Sequence, residues 1–357
     1  MDVAIVAAAR FPIREPFAGG MEAHTHALAE RLWARGHDVT VYAAGGDGPY
    51  GVHAMLPVDF EASPAARRDV SSGPAAAVAE HHSYLDAVLE VGRRRHQIVH
   101  INAVHHLPFA CAGLWTTSVV TATLHTPPTP WLESALTLAA ARRDLPSMVS
   151  VSHANARAWR GVPIDRVIHN GVDLERWRLG AGGSGAVWWG RLVPEKAPHL
   201  AIDAARLAGM PITLMGPLHD DDYFAREVQP RLGDGARYAG HLTTREVAAA
   251  VGRAAVAVVT PAWDEPFGLV VAEALACGTP VAAFDRGAMG ELITDATGRL
   301  APPGDVDRLA TAMLDAASGD RLACRREAEV RFSSDAMAGG YESWFQTLLA
   351  ARSGDAR

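Results

Sequence analysis

Two carboxylates, Glu265 and Glu273, stand with seven residues between them in the segment 264–280. A Pro266-Phe267-Gly268 turn follows the first, and a run of Ala, Leu and Val carries the second. An apolar run at 255–261, closed by Pro261, precedes them, and another apolar run follows at 280–284. The order is therefore strand, tight loop, helix, strand. A loop that opens a helix at the C-terminal end of a parallel strand is where α/β proteins hold anions, because the first helical N–H groups are free. With the helix starting near Phe267, Glu273 falls about two turns in. It could then reach a neutral polar part of a ligand whose phosphate sits at the helix start.

A second group supplies positive charge. Gly190-Arg191 and Glu195-Lys196 follow another strand-like run and precede a helix. Lys196 is the only lysine among 33 basic residues. The arginine bias reads as codon usage, so a retained lysine marks a position that needs a compact point charge. Arg191 as a fork and Lys196 as a point charge could neutralise a diphosphate without a metal. The competing reading is a surface loop with an ordinary Glu195/Lys196 pair. Gly19-Gly20 opens a helix after the first strand, where backbone can approach a phosphate, although a plain turn fits equally well. The spacing is not that of a dinucleotide fingerprint, and no acidic residue ends the second strand to hold a ribose. His125 lies just past a strand end, where a structural and a site role are equally compatible. The pairs His81-His82, His105-His106 and His24-Thr25-His26 suggest metal. Neighbours on a helix point apart, however, and no cysteine or carboxylate set completes a zinc pattern, so no metal is expected. The run 220–222 of three aspartates reads as a solvated loop and helix-start charge.

These residues need a scaffold of alternating strands and helices. Strands are expected at 3–8, 38–42, 97–102, 119–124 and 148–151, then at 186–189, 212–215, 237–238, 255–261 and 280–284. Helices are expected at 21–35 (with Leu28, Leu32 and Trp33 on its apolar side), 75–91, 131–141, 198–208, 222–231, 244–253, 305–317 and 334–351. Ser152 or Asn155 could cap a short helix after 151. Alternation of this kind implies parallel sheets covered by helices on both faces. The chain has 357 residues, of which 49% are hydrophobic, enough for two domains with full cores. The glycine-rich stretch 179–185 reads as a linker. The expected domains are 1–165, 166–333, and a C-terminal segment 334–357 whose helix packs back on the first domain through Tyr341, Trp344, Phe345 and Leu348. Residues 353–357 are expected to fray. A net charge of −7 argues against a generic nucleic-acid surface. No apolar run is long enough for a membrane span, the start of the chain lacks signal-peptide character, and three scattered cysteines fit a reducing cytoplasm.

The ordered motifs resemble the retaining glycosyltransferases of family 4, which have the GT-B architecture of two Rossmann-like domains facing a cleft. The resemblance rests on Gly19-Gly20-Met21-Glu22, on Ile168-His169-Asn170-Gly171-Val172-Asp173, on Gly190-Arg191 with Glu195-Lys196, and on Glu265-Pro266-Phe267-Gly268-Leu269 with Glu273 and Gly278-Thr279-Pro280. It implies that Arg191 and Lys196 bind a donor diphosphate and that Glu265 holds sugar hydroxyls. The backbone of Phe267, Gly268 and Leu269 would contact sugar and phosphate, and Glu273 the ribose. Gly19 and Gly20 would approach the phosphate from the other domain, and Gly190 would belong to the phosphate loop. His125 would face the donor sugar, and the loop of His241 and Leu242 would lie beside the base. Met215-Gly216-Pro217 and the segment 286–291, ending in Glu291, depart from the family pattern and bear on sugar selectivity. The implied reaction is retaining hexosyl transfer from a nucleotide-diphosphate sugar, UDP- or GDP-linked, to a hydroxyl of a small soluble acceptor. The nucleotide sugar is a co-substrate, and neither a cofactor nor a metal is required. The nearly balanced charge of residues 1–165 weakly favours such an acceptor over a lipid, and the composition suits a bacterial natural-product or glycoconjugate pathway. The rival readings are a sugar-nucleotide epimerase of the same fold, which needs no acceptor, and a non-catalytic sugar-nucleotide binder, which would not need to keep Arg191, Lys196 and Glu265 together.

Overall fold

The computed structural model describes residues 1–56, 61, 63–68 and 75–355. Its first sheet has seven parallel strands: β1 (Asp2–Val6), β2 (Asp38–Ala43), β3 (Gly51–Ala54), β4 (Ile98–Ile101), β5 (Val119–Leu124), β6 (Ser147–Ser150) and β7 (Arg166–Val167), in the order β3-β2-β1-β4-β5-β6-β7. The second has six: β8 (Ala186–Trp189), β9 (Ile212–Met215), β10 (Ala236–Tyr238), β11 (Val256–Val259), β12 (Val281–Phe284) and β13 (Gly298–Ala301), in the order β10-β9-β8-β11-β12-β13. β1, β4, β8, β11 and β12 are wholly or almost wholly buried, as expected of parallel strands with helices on both faces. Each sheet reverses its strand order beside its first strand, β1 or β8. Ligands bind at such switch points in open α/β sheets, and here the two points face one another.

Several elements differ from expectation. β3, β13 and the helices His106–Ala110 and Arg321–Arg331 are short or strongly charged and left no clear apolar period. The expected helix at 222–231 breaks into α, π and 3₁₀ turns, because Pro230 has no N–H to continue the ladder. Trp33 does not join Leu28 and Leu32 in the core; it is 46% exposed. The expected boundary at 165/166 falls inside the first sheet, since β7 pairs with β6. The supposed linker at 179–185 is bound down. Gly180 N–H donates to the Cys277 carbonyl and Gly182 N–H to that of Gly252, while the Arg321 guanidinium reaches the carbonyls of Gly252, Ala254 and Cys277. The C-terminal helix runs to Asp355, past the expected end at 351, and 356–357 lie outside the described residues.

The chain crosses between domains twice, side by side. Val172 N–H donates to the Phe332 carbonyl, and Ser334 N–H donates to the Val172 carbonyl. A Cβ on Gly171 would come within 2.5 Å of the Ser333 carbonyl oxygen, so only glycine permits this approach. After the second crossing, the helix Ser334–Asp355 lies on the first domain. Tyr341, Trp344 and Phe345 are buried there against Ile5, Leu28 and Leu32, and Tyr341 Oη is 2.8 Å from Thr123 Oγ1. A buried tryptophan truncated to alanine loses about 3–5 kcal/mol. Trp344→Ala should therefore lower the free energy of unfolding by about that amount in chemical denaturation; a loss within experimental error would show that this helix does not anchor the first domain.

Candidate active site

A cleft of about 810 Å³ separates the sheets, and all thirteen residues singled out in the sequence line it. Two helices begin there from opposite sides. Gly20–Ala34 starts with Gly19 at its N-cap, and Leu269–Ala276 starts with Gly268 at its N-cap, and neither start is capped by a side chain. A Cβ on Gly20 would touch Leu269 Cδ2 at 3.7 Å, so the two starts are neighbours. Gly268 has φ of 92°, a conformation that side-chain-bearing residues rarely adopt, and a Cβ there would also push the Met289 methyl aside at 2.5 Å. Because the second helix begins at Leu269 rather than near Phe267, Glu273 stands about one turn from its start, closer to the free N–H groups than expected.

The cations and carboxylates pair differently from the ordinary surface pair considered in the sequence. Glu195 joins Arg191 at 3.3 Å, whereas Lys196 Nζ lies 2.5 Å from Glu265 Oε2. The same oxygen accepts a hydrogen bond from Trp263 Nε1 at 2.9 Å, and Lys196 Nζ is 5.4 Å from the Trp263 ring centre. Lys196 is placed by the 3₁₀ turn Pro194–Lys196 after β8, and its carbonyl is 2.9 Å from Thr260 Oγ1 at the end of β11. Glu265 is nearly buried, at 8% exposure, and Arg191 remains 38% exposed. Glu273 accepts from Trp189 Nε1 at 2.6 Å. Burial pushes its carboxyl up to about 7, with the Trp189 bond only partly offsetting that rise.

The first domain contributes His125 and a second buried carboxylate. His125 Nε2 is 2.5 Å from Asn102 Oδ1. Asn102 Nδ2 donates to Thr25 Oγ1, which donates to the Met21 carbonyl in the first turn of Gly20–Ala34. This chain fixes the amide orientation and leaves the His125 proton on Nε2. Burial, then the nearby His24 and His100, hold its pKa well below the usual histidine value, so the ring is neutral. Glu22 is 5% exposed; burial raises its carboxyl pKa, while its own backbone N–H, Arg191 and the Gly19 N–H act in the opposite direction. His241 and Leu242, after β10, complete the rim on the second domain. Trp189, Trp263 and Asn102 are not singled out by the sequence, and Glu22 stands there only as the end of the glycine-loop motif, with no role. Only their positions at strand ends or helix starts marked them.

Glu291 joins the domains. Its carboxylate accepts from the N–H groups of His153 and Ala154 in the first domain, both at 3.1 Å, and lies 2.7 Å from His169 Nε2. Burial would raise this carboxyl, but His169 and the two N–H groups outweigh it and hold the pKa at about 2. Beside it Ser152 caps the helix His153–Ala158 and donates to the Pro266 carbonyl across the domain boundary. One expectation fails outside the cleft. His105 and His106 do not point apart but stack at 4.4 Å, and His81 joins them from another helix. The reason is that His105 precedes the helix His106–Ala110, so helical spacing does not separate the pair.

Two facing Rossmann-like domains with helix starts and cations converging on one cleft define the GT-B architecture. The structure of Anabaena HepE in complex with UDP-glucose superposes with a TM-score of 0.74 at 18% identity, covering 96% of this chain and 99% of that one. Residues 18–176 match the family described as Glycosyltransferase Family 4, and residues 185–331 match Glycosyl transferases group 1. The chain belongs to this glycosyltransferase family. Among curated relatives, glycogen synthase of Mycobacterium tuberculosis is 37% identical over 185 residues, covering 47% of this chain and 44% of that protein. D-inositol 3-phosphate glycosyltransferase of Mycolicibacterium paratuberculosis is 32% identical over 185 residues, covering 46% and 41%. The matches thus span less than half the length of either relative.

The Glu291 contact gives an acid-side prediction. Its folded pKa lies below the unfolded value of about 4.5, so its contribution is complete above that pH and is lost as pH falls toward about 2. Glu291→Ala should lower stability near neutral pH by about 1–3 kcal/mol and flatten the acid limb of the unfolding profile. Equal acid limbs for variant and wild type would remove this role.

Proposed function

We propose that the protein transfers a hexosyl group from a nucleotide-diphosphate sugar to a hydroxyl of a small soluble acceptor, with retention of anomeric configuration. The carrying observation is the convergence of two helix starts without side-chain caps on a cleft that also holds Arg191 and Lys196. Free N–H groups and two cations of different geometry suit a diphosphate whose charge grows as the glycosidic bond breaks. These groups supply the neutralisation that a metal would otherwise provide at the diphosphate. The likeness to HepE in complex with UDP-glucose supports UDP-glucose as a trial donor, and the likeness to D-inositol 3-phosphate glycosyltransferase supports a soluble polyol acceptor.

Each residue then has a physical task. Arg191 and Lys196 hold the leaving diphosphate, and the first N–H groups of Leu269–Ala276 add their partial charge. Glu265 keeps Lys196 in place through Oε2 and accepts from donor sugar hydroxyls. With that oxygen already engaged by Lys196 and Trp263, Glu265 is a positioning carboxylate rather than a nucleophile. The acceptor hydroxyl attacks the face from which the diphosphate leaves, and its proton passes to the departing phosphate oxygen. Neutral His125 offers hydrogen bonding to the sugar and no proton charge. Glu273, one turn into the helix, accepts from the ribose hydroxyls, and His241 and Leu242 border the base. Closure of the cleft over the donor excludes water.

Transfer from UDP-, GDP- and dTDP-sugars to trial polyols, followed by mass spectrometry and by NMR of the anomeric proton, tests the reading. Lys196→Ala and Glu265→Ala should each reduce kcat about 10²–10³-fold, with melting compared in parallel. Near wild-type rates in both, or an inverted anomer, would sink it; product without acceptor would indicate epimerisation instead.

Glu273 predicts a pH dependence of donor affinity. Ribose hydroxyls donate to the ionised carboxylate, so affinity for a nucleotide sugar should rise as pH rises through about 7. Glu273→Gln should bind more weakly and with a flat profile by calorimetry. An unchanged slope in the variant would assign the titration to another group.

A further inference from the structure

Outside the donor cleft, one group among the described residues has the composition and closeness of a metal site. His81 comes from the helix Ala75–Arg94, and His105 and His106 come from the start of His106–Ala110. One ring nitrogen from each lies within 4.8 Å of the others, and all three residues are half-buried. The His105 and His106 rings stack at 4.4 Å, with the His81 ring 5.9 and 5.7 Å from them. Neither His81 nor His106 makes a hydrogen bond among the described residues, so their ring nitrogens are uncommitted. The walls are firm. Tyr84 stacks beneath His105 at 4.3 Å, and Trp131 stacks on His106 at 5.2 Å.

Three imidazoles held together gain little from one another and, if protonated, repel. A neutral imidazole offers one in-plane lone pair to a metal. A tetrahedral zinc with nitrogens at about 2.0–2.1 Å needs them about 3.3 Å apart, so binding requires the stacked rings to turn inward from the observed spacing. Three protein nitrogens leave one position for water, the pattern of an open rather than a purely structural zinc site.

We propose that His81, His105 and His106 form a three-imidazole binding site for a zinc-class divalent cation on the first domain. The site is separate from the donor diphosphate, and it departs from the sequence expectation of no metal. It lies beside the cleft: Val104, next in the chain, and Arg10, whose charge acts on His105, both line the cleft wall. The proposal stands independently of the transferase reading, because its test needs no turnover.

The test uses the untagged full chain, Co²⁺ as a visible probe and Zn²⁺ as competitor. The wild type should take up one Co²⁺ per chain with the absorption of a tetrahedral site, and Zn²⁺ should displace it. His81→Gln and His106→Gln should each weaken binding about 10–100-fold, while His82→Gln should leave it unchanged. Circular dichroism and metal-free melting confirm that the variants fold; His105 is left in place because it caps a helix. Absence of a stoichiometric tetrahedral cobalt signal in the wild type, or its persistence in both variants, would overturn the proposal.

Discussion

Two helices that begin at the same place without side-chain caps govern this structure. A helix start leaves its first N–H groups without partners, and burying them unsatisfied is costly. Here Gly19 and Gly268 stand where Ser, Thr, Asp or Asn would normally cap, so no N-cap side chain takes the donors, and at the first start only the Glu22 carboxylate lies against its own and the Gly19 N–H groups. At Gly268 glycine also supplies a φ of 92°, which side-chain-bearing residues rarely adopt. The site is therefore made of backbone first, and its side chains adjust charge around that backbone.

That adjustment is close to balanced. Lys196 is held by Glu265 and Arg191 by Glu195, with the Arg191 charge also felt by Glu22 across the cleft, while Glu273 is kept from full ionisation by its burial. A pocket of bare cations would bind any anion. One in which each cation already has a carboxylate partner favours a ligand that satisfies both, such as a diphosphate flanked by hydroxyl-bearing sugars. Trp263 and Trp189 donate to these carboxylates from apolar rings and fix their direction without adding charge.

Much of this was legible because the chemistry sits at strand ends, where apolar runs, glycine and proline mark the loops. Glu265, Glu273 and the solitary Lys196 lie in such loops, and the family resemblance joined them into one cleft. Trp263, Trp189, Glu22 and Asn102 escaped because their roles depend on which sheet faces which, and one strand's period carries no such information. The three-histidine group escaped for the same reason: spacing was judged within a helix, while the contact is between helices. β13 and the helix Arg321–Arg331 were missed because alternation is weak in a four-residue strand and charge dominates that helix. The broken turn at 224–231 shows Pro230 overriding an otherwise helical pattern.

The paired crossings near Gly171 and Ser333 have a mechanical consequence. Two chain segments hydrogen-bonded to each other at the boundary act as one axle, so sliding of one domain over the other would have to break both together. Rotation about that axle keeps them intact. The Glu291 contact sits beside the axle, between His169 and Arg331, and ties the N-terminus of His153–Ala158 to the second domain. The same boundary is thus held by backbone pairs at the crossings and by side-chain ties from Glu291 and Ser152 next to them.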